Sequence, residues 1–165
     1  MGMSAHYYAY AQDDIEAIKN GGGDDVEALD EYDLDKMWDA MHKMLTGKNM
    51  IEAMSAGEIF ATPNPLSWAI FGRGMASEEG SEAISYVYAD DVKAVAKAMQ
   101  STDIGALLAN VNFAEFGEAG TYPEIWEYES EFEDIKAELK ERFNGLLNFY
   151  QNAADNGLGV LIVIA

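Results

Sequence analysis

The chain has 165 residues, of which 49% are hydrophobic and 12% aromatic, and its 30 acidic and 10 basic side chains give a net charge of −20. This composition excludes a disordered chain, and the charge excludes nucleic acid and anionic membranes as partners because their phosphates repel carboxylates. The chain has no cysteine, which excludes disulfides, thiolate metal sites and cysteine nucleophiles.

The first half of the chain predicts one strand followed by helices. Residues 3–10 favour a strand, and a short helix follows to Lys19. After a glycine-rich loop and a short acidic segment, residues 33–47 predict a central helix that begins at Asp33 as N-cap and ends at Gly47. Its apolar face repeats at three- and four-residue steps: Leu34, Met37, Trp38, Met41, Met44 and Leu45.

The second half predicts further helices and a last strand. A Thr-Pro-Asn-Pro break at 62–65 separates the first two of these helices. The long helix at 131–154 has a continuous apolar stripe, and the terminal run at 160–164 is apolar on both faces, as in the middle strand of a sheet. The remaining predictions are short helices at 48–60, 66–71, 90–99 and 104–108, a strand at 84–88, and a loop around Phe113 and Phe116.

This order of elements predicts an α/β or α+β fold. We expect a single compact layered domain over residues 1–165, with a small mixed sheet whose buried C-terminal strand is packed by several helices. Residues 1–7 lack the basic and apolar regions of a signal peptide, and no apolar run reaches the ~20 residues of a membrane span, so we expect a soluble cytoplasmic protein.

The central helix carries the strongest candidate for a functional cluster. At ~100° per residue, Asp35, Asp39, His42 and Thr46 fall on one narrow polar stripe, and Trp38 borders it. Such a set can serve as a general acid and base, or it can form a structural polar network. We predict no metal and no cofactor, because the sequence offers no third or fourth ligand beside the stripe.

Aromatic and hydroxyl side chains in the predicted loops and short turns are candidates for lining a pocket beside this cluster. Large aromatic residues of this kind either close the core of a small domain or form a binding surface. The candidates are Ser67, Trp68, Tyr122 and Trp126.

Several of these segments resemble the YfbM family of bacterial proteins, a domain of unknown function. The resemblance is strongest in Leu34-Asp35-Lys36-x-Trp38-Asp39-x-x-His42-x-x-Leu45-Thr46-Gly47. It continues at Asn64-Pro65-Leu66-Ser67-x-Ala69-Ile70-x-Gly72, at Tyr122-Pro123 and in the apolar terminal strand. The resemblance implies one compact α/β domain in which Asp35, Trp38, Asp39, His42 and Thr46 belong together, and it implies no activity.

Two functions remain open. The first hypothesis is a protein-binding domain of the immunity or inhibitor type, which masks a basic partner protein, because the charge is strongly negative and no catalytic motif is present. The alternative is an enzyme or small-molecule-binding protein whose site is the Asp35, Asp39 and His42 face of the central helix. Burial separates the two, because a catalytic set needs a concave pocket.

Overall fold

The computed structural model describes residues 2–22, 25–77 and 83–165. Its strands are β1 Ala5–Ala11, β2 Asp30–Asp35, β3 Gly74–Ser77, β4 Ala83–Val87 and β5 Leu158–Ile164. Its helices are α1 Gln12–Lys19, α2 Trp38–Thr46, α3 Met50–Ser55, α4 Pro65–Phe71, α5 Ala89–Gln100, α6 Ile104–Ala109, α7 Phe113–Glu118 and α8 Phe132–Asp155. No helix in these ranges combines the length and the apolar character needed to cross a bilayer.

The strands form one sheet in the order β2-β1-β5-β4-β3. The prediction that the C-terminal strand lies buried in the middle of the sheet is confirmed, since β5 pairs with β1 on one side and β4 on the other. The fold class is likewise confirmed, as a single compact domain that mixes helices with a sheet. The strand directions differ from the expected mixed sheet, because every pairing is antiparallel.

Helices cover β5 from both sides, which explains why its sequence lacks the polar alternation of most antiparallel strands. On one face, α5 and α8 pack against each other and against β5. On the other face, α1 crosses β5 at Gly159, where a Cβ atom would lie 2.7 Å from Cγ1 of Ile15. Glycine is therefore required at this crossing.

Helix α8 also packs on the edge strand β2, and Gly145 makes this contact possible. A Cβ atom at Gly145 would lie within 2.6 Å of three atoms of the Tyr32 side chain. The Tyr32 hydroxyl donates a hydrogen bond to the Arg142 carbonyl oxygen at 3.1 Å. Glycine within a helix costs about 1 kcal/mol relative to alanine, but at position 145 it leaves room for the Tyr32 side chain of β2.

The largest correction to the predicted elements lies at the start of the central helix. Residues 30–35 form β2, and α2 begins only at Trp38. Asp33, the predicted N-cap, lies in the strand, and Asp35 ends it with φ of 53° in the left-handed region that aspartate tolerates. The predicted end is confirmed, because Gly47 closes α2 with φ of 85°. Two further elements were not predicted: β3, and helix α7 in place of the loop around Phe113 and Phe116.

Two tyrosines in the sheet–helix interface differ in one hydrogen bond. Tyr7 of β1 and Tyr150 of α8 are both fully buried and pack edge to face at 6.1 Å. The Tyr150 hydroxyl donates to the Ala69 carbonyl oxygen at 2.9 Å. The Tyr7 hydroxyl has no hydrogen-bond partner among the residues that the structure describes.

We therefore expect Tyr7→Phe to leave the free energy of unfolding unchanged or to raise it by about 1 kcal/mol, because it removes a buried polar group without a partner. Tyr150→Phe is the matched control and is expected to lower it by about 1–2 kcal/mol, since it strands the Ala69 carbonyl. Urea denaturation measures both. Equal losses for the two variants would contradict the difference in bonding.

Candidate functional site

Asp39 of α2 holds two other segments of the chain through its carboxylate. The residue is 3% exposed. One carboxylate oxygen accepts a hydrogen bond from the Met50 backbone N–H at 2.6 Å, and the other accepts one from the Tyr122 N–H at 2.9 Å. Burial raises the pKa of Asp39, and the two N–H donors oppose that rise. The carboxylate thus connects α2 to the start of α3 and to the loop before α8.

Asn49 binds the same loop from a second position. It is fully buried and caps α3 in a capping box with Glu52. Its side-chain amide donates to the Ala119 carbonyl oxygen at 2.8 Å and to the Thr121 hydroxyl at 3.1 Å. Sequence analysis missed this residue, although the pattern Asn49-x-x-Glu52 is the recognisable signal of a capping box.

His42, one turn further along α2, uses both ring nitrogens. Its Nδ1–H donates to the Lys48 carbonyl oxygen, and its Nε2 accepts from the Ser67 hydroxyl at 2.8 Å. The Thr46 hydroxyl donates to the His42 carbonyl oxygen at 2.8 Å. The Lys48 carbonyl, rather than Asp39, therefore fixes the tautomer of the imidazole.

The surroundings of His42 keep the imidazole neutral. The residue is 2% exposed, and burial lowers its pKa to about 4 despite the hydrogen bond to the Lys48 carbonyl. A general base works best when its pKa lies near the working pH. His42 is consequently better suited to accepting a hydrogen bond from Ser67 than to removing the proton of the serine hydroxyl.

A small polar cavity of about 150 Å³ lies against this pair. His42 and Ser67 are almost fully buried at its wall, whereas the side chains of Lys48 and Glu58 are 41% and 44% exposed and form an ion pair. The other lining residues are Thr46, Ala53, Thr62 and Asn64.

Two members of the predicted cluster lie apart from His42. Asp35 lies outside α2, where its carboxylate accepts a hydrogen bond from the Ser4 hydroxyl at 3.3 Å and lies 3.8 Å from the Arg142 guanidinium. Trp38 is 1% exposed, and its indole N–H donates to the Met3 carbonyl oxygen at 2.9 Å. The structure therefore brings His42 and Thr46 together, and Asp39 lies on the same helix but binds Met50 and Tyr122. It places Asp35 and Trp38 against the N-terminal segment.

The four predicted pocket-lining residues do not line one common pocket. Ser67 lines the cavity beside His42. Trp68 donates its indole N–H to the Thr62 carbonyl oxygen at 2.8 Å, and Tyr122 stacks on Trp38 with ring centroids 5.6 Å apart. Trp126 packs against Phe113 and Phe116 and lines a groove beside α7.

This groove, which we call the acidic groove, has a volume of about 610 Å³. Its walls carry the exposed carboxylates of Glu118, Glu124 and Glu127, and its rim carries Tyr128, which is 60% exposed. The other lining residues are Ala114, Gly117, Gly120, Thr121 and Trp126.

Asp39 and Asn49 fix one wall of the acidic groove. Their hydrogen bonds end on residues 119–122, within the stretch that forms this wall. The indole N–H of Trp126 donates to the Thr121 carbonyl oxygen at 2.8 Å and closes the loop on itself. Asp39 and Asn49 therefore help to set the shape of the acidic groove, although neither of them lines it.

Within residues 2–22, 25–77 and 83–165, no three histidine or carboxylate side chains lie close enough together to hold a metal ion.

The structure is similar to the crystal structure of YfbM from Escherichia coli, a protein of unknown function. The TM-score is 0.76 and the identity 22%, and the match covers 98% of this chain and 99% of that one. No curated protein matches the chain. The family model of a domain of unknown function, DUF1877, matches residues 1–163, and the chain belongs to this family.

Proposed function

We propose that the protein is a binding domain that masks a basic partner protein with the acidic groove, in the manner of an immunity protein or inhibitor. The observation that carries this proposal is the charge of the segment from 98 to 135, which has no lysine, arginine or histidine. It has nine acidic residues, and all nine are exposed: Asp103, Glu115, Glu118, Glu124, Glu127, Glu129, Glu131, Glu133 and Asp134.

Almost all of these carboxylates lack a cationic partner. Among the nine, and within the part of the chain that the structure describes, Glu133 alone forms an ion pair, with Lys136 at 3.5 Å. Exposed carboxylates without cationic partners produce a negative potential that speeds the approach of a basic partner and makes the association sensitive to salt. This distribution favours a binding surface over a charge that serves solubility alone.

The acidic groove adds shape and apolar contact to the charge. Arginine and lysine side chains can place their charged ends beside Glu118, Glu124 and Glu127. Their aliphatic parts, or an arginine guanidinium, can pack on the exposed ring of Tyr128. The groove therefore suits a basic segment better than a nucleic acid or an anionic membrane, whose phosphates its carboxylates repel.

The hydrogen bonds of Asp39 and Asn49 support the same function. A loop that is held in place before binding loses little conformational entropy when a partner docks. We accordingly assign these side chains a role in positioning the groove and in holding the fold. The absence of cysteine also fits a cytoplasmic location, where disulfides are rare.

Two variants of equal charge test the proposal. The groove variant carries Glu118→Gln, Glu124→Gln and Glu127→Gln, and the control carries Asp13→Asn, Glu16→Gln and Asp25→Asn on α1 and the following loop. We expect the groove variant to bind a short arginine-rich peptide about tenfold more weakly at low salt, a loss of about 1.4 kcal/mol. The control is expected to change affinity by about twofold at most, since those carboxylates act only at a distance through screened charge.

Isothermal titration calorimetry at several salt concentrations measures both affinities. The wild-type affinity is expected to fall with salt more steeply than that of the groove variant. Equal losses in the two variants would contradict the proposal, because bulk charge alone would then explain the binding.

A further inference from the structure

The small cavity beside His42 and Ser67 lies apart from the acidic groove and shares no lining residue with it. Its inner wall is polar but uncharged, because the neutral imidazole and the serine hydroxyl satisfy each other. Its solvent side carries one cation and one anion, the half-exposed pair of Lys48 and Glu58. The cavity as a whole is therefore electrically balanced.

We propose that this cavity binds a small zwitterionic amino acid, of the size of glycine, alanine or serine. Its volume of about 150 Å³ equals that of an engineered protein cavity that holds benzene, a molecule of six non-hydrogen atoms. A zwitterion matches the charge balance, since its carboxylate pairs with Lys48 and its ammonium group pairs with Glu58. A ligand with a single charge would leave one member of the pair without a partner.

Unused hydrogen-bond donors support the carboxylate half of this ligand. The Thr62 hydroxyl accepts from the Asn64 backbone N–H and has no acceptor for its own proton among the described residues. The Asn64 side-chain oxygen accepts from the Leu66 N–H, which leaves the side-chain NH₂ as a further donor without an acceptor in that part of the chain. These donors line the same cavity as the Lys48 ammonium group.

The cavity also offers hydrogen-bond acceptors for the ammonium half of the ligand. Glu58 supplies a carboxylate, and the Ser67 oxygen keeps a lone pair after its hydroxyl has donated to His42. Opening the ion pair between Lys48 and Glu58 costs little, because exposed ion pairs contribute little to stability. The ligand therefore replaces one weak contact with two charge-assisted ones.

Two-dimensional NMR of the full chain, titrated with L-alanine into the millimolar range, tests this proposal. We expect saturable shifts confined to the backbone and side chains around Lys48, Thr62, Asn64 and Ser67. Acetate and methylamine, which each carry one half of the charge, are expected to bind at least about tenfold more weakly than alanine. Glycerol, which has no charge, is expected to produce no saturable shift.

Matched variants distinguish the cavity from general surface binding. Lys48→Met and Glu58→Gln are expected to weaken alanine binding about tenfold each, whereas Lys140→Met and Glu141→Gln on the exposed face of α8 leave it unchanged. All four side chains lie at the surface, so the melting temperature serves as the check that each variant is folded. The absence of saturable shifts with alanine, equal binding of acetate, or unchanged binding in the first two variants would each overturn the proposal, without bearing on the acidic groove.

Discussion

Replacing Asp39 with alanine is expected to lower the free energy of unfolding by about 3 kcal/mol, because it leaves two backbone N–H groups without an acceptor. These groups belong to Met50 and Tyr122, and each now donates to one carboxylate oxygen of a residue that is 3% exposed. Urea denaturation measures the loss. The raised pKa of Asp39 does not weaken this expectation, since an alanine offers no acceptor at any pH.

Two further substitutions control for charge. Asp39→Asn keeps one carbonyl oxygen and is expected to lose about half as much stability as the alanine variant. Asp134→Ala removes an exposed carboxylate on α8 and is expected to change stability by about 0.5 kcal/mol or less. A loss of this small size for Asp39→Ala would mean that the carboxylate is not needed by the fold, and it would return Asp39 to the list of candidate catalytic groups.

The second large effect is a dependence of stability on pH that comes from His42. Its pKa is about 4 in the folded protein, against 6.5 for the free side chain. Between these values the unfolded chain binds a proton at this position and the folded chain does not, so acid favours the unfolded state. We expect His42 to remove about 3 kcal/mol of stability as the pH falls from above the upper value to the lower one.

The variant His42→Gln isolates this contribution, because glutamine does not titrate and the other acidic groups are common to both proteins. The difference in free energy of unfolding between wild type and variant is expected to shrink by about 3 kcal/mol from neutral pH to pH about 4. NMR of the ring should show no titration of His42 above its folded pKa, in wild type and in Asp39→Asn alike. A midpoint near 6.5 that moves with the Asp39 substitution would contradict the assignment of the Lys48 carbonyl as the partner of the ring.

Hydrophobic periodicity predicted most of the fold because most elements have one clear apolar face. The long helix α8 and the buried strand β5 are examples, since their patterns extend over many residues. The start of the central helix was predicted wrongly because an apolar residue such as Leu34 fits the buried face of a helix and that of a strand equally well. In the structure, Leu34 is fully buried in β2. The alternation of Tyr32 and Leu34 with acidic residues is the two-residue period of a strand, and it competed with the helical spacing of Leu34, Met37 and Trp38.

The polar cluster was predictable only in part because side-chain hydrogen bonds reach across the sequence. Asp39 binds a backbone group 83 residues away, and His42 binds Ser67, which is 25 residues away. Helical spacing places Asp39 and His42 on one face, but it carries no information on which distant segment each contacts. The acidic groove was missed for another reason: its carboxylates come from α7 and the loop beyond it. The sequence indicated such a surface only through the net charge of the whole chain and through Trp126 as a candidate lining residue.

We assign partner binding to the acidic groove and a structural role to the polar residues of α2. The most direct test is a chemical-shift map of the ¹⁵N-labelled full chain during titration with the arginine-rich peptide. The expected result is that the largest shifts lie at Glu118, Glu124, Glu127 and Tyr128, on the walls and rim of the groove, while His42 and Ser67 stay unperturbed. Shifts spread evenly over all exposed carboxylates, or centred on His42 and Ser67, would contradict the assignment of the binding surface.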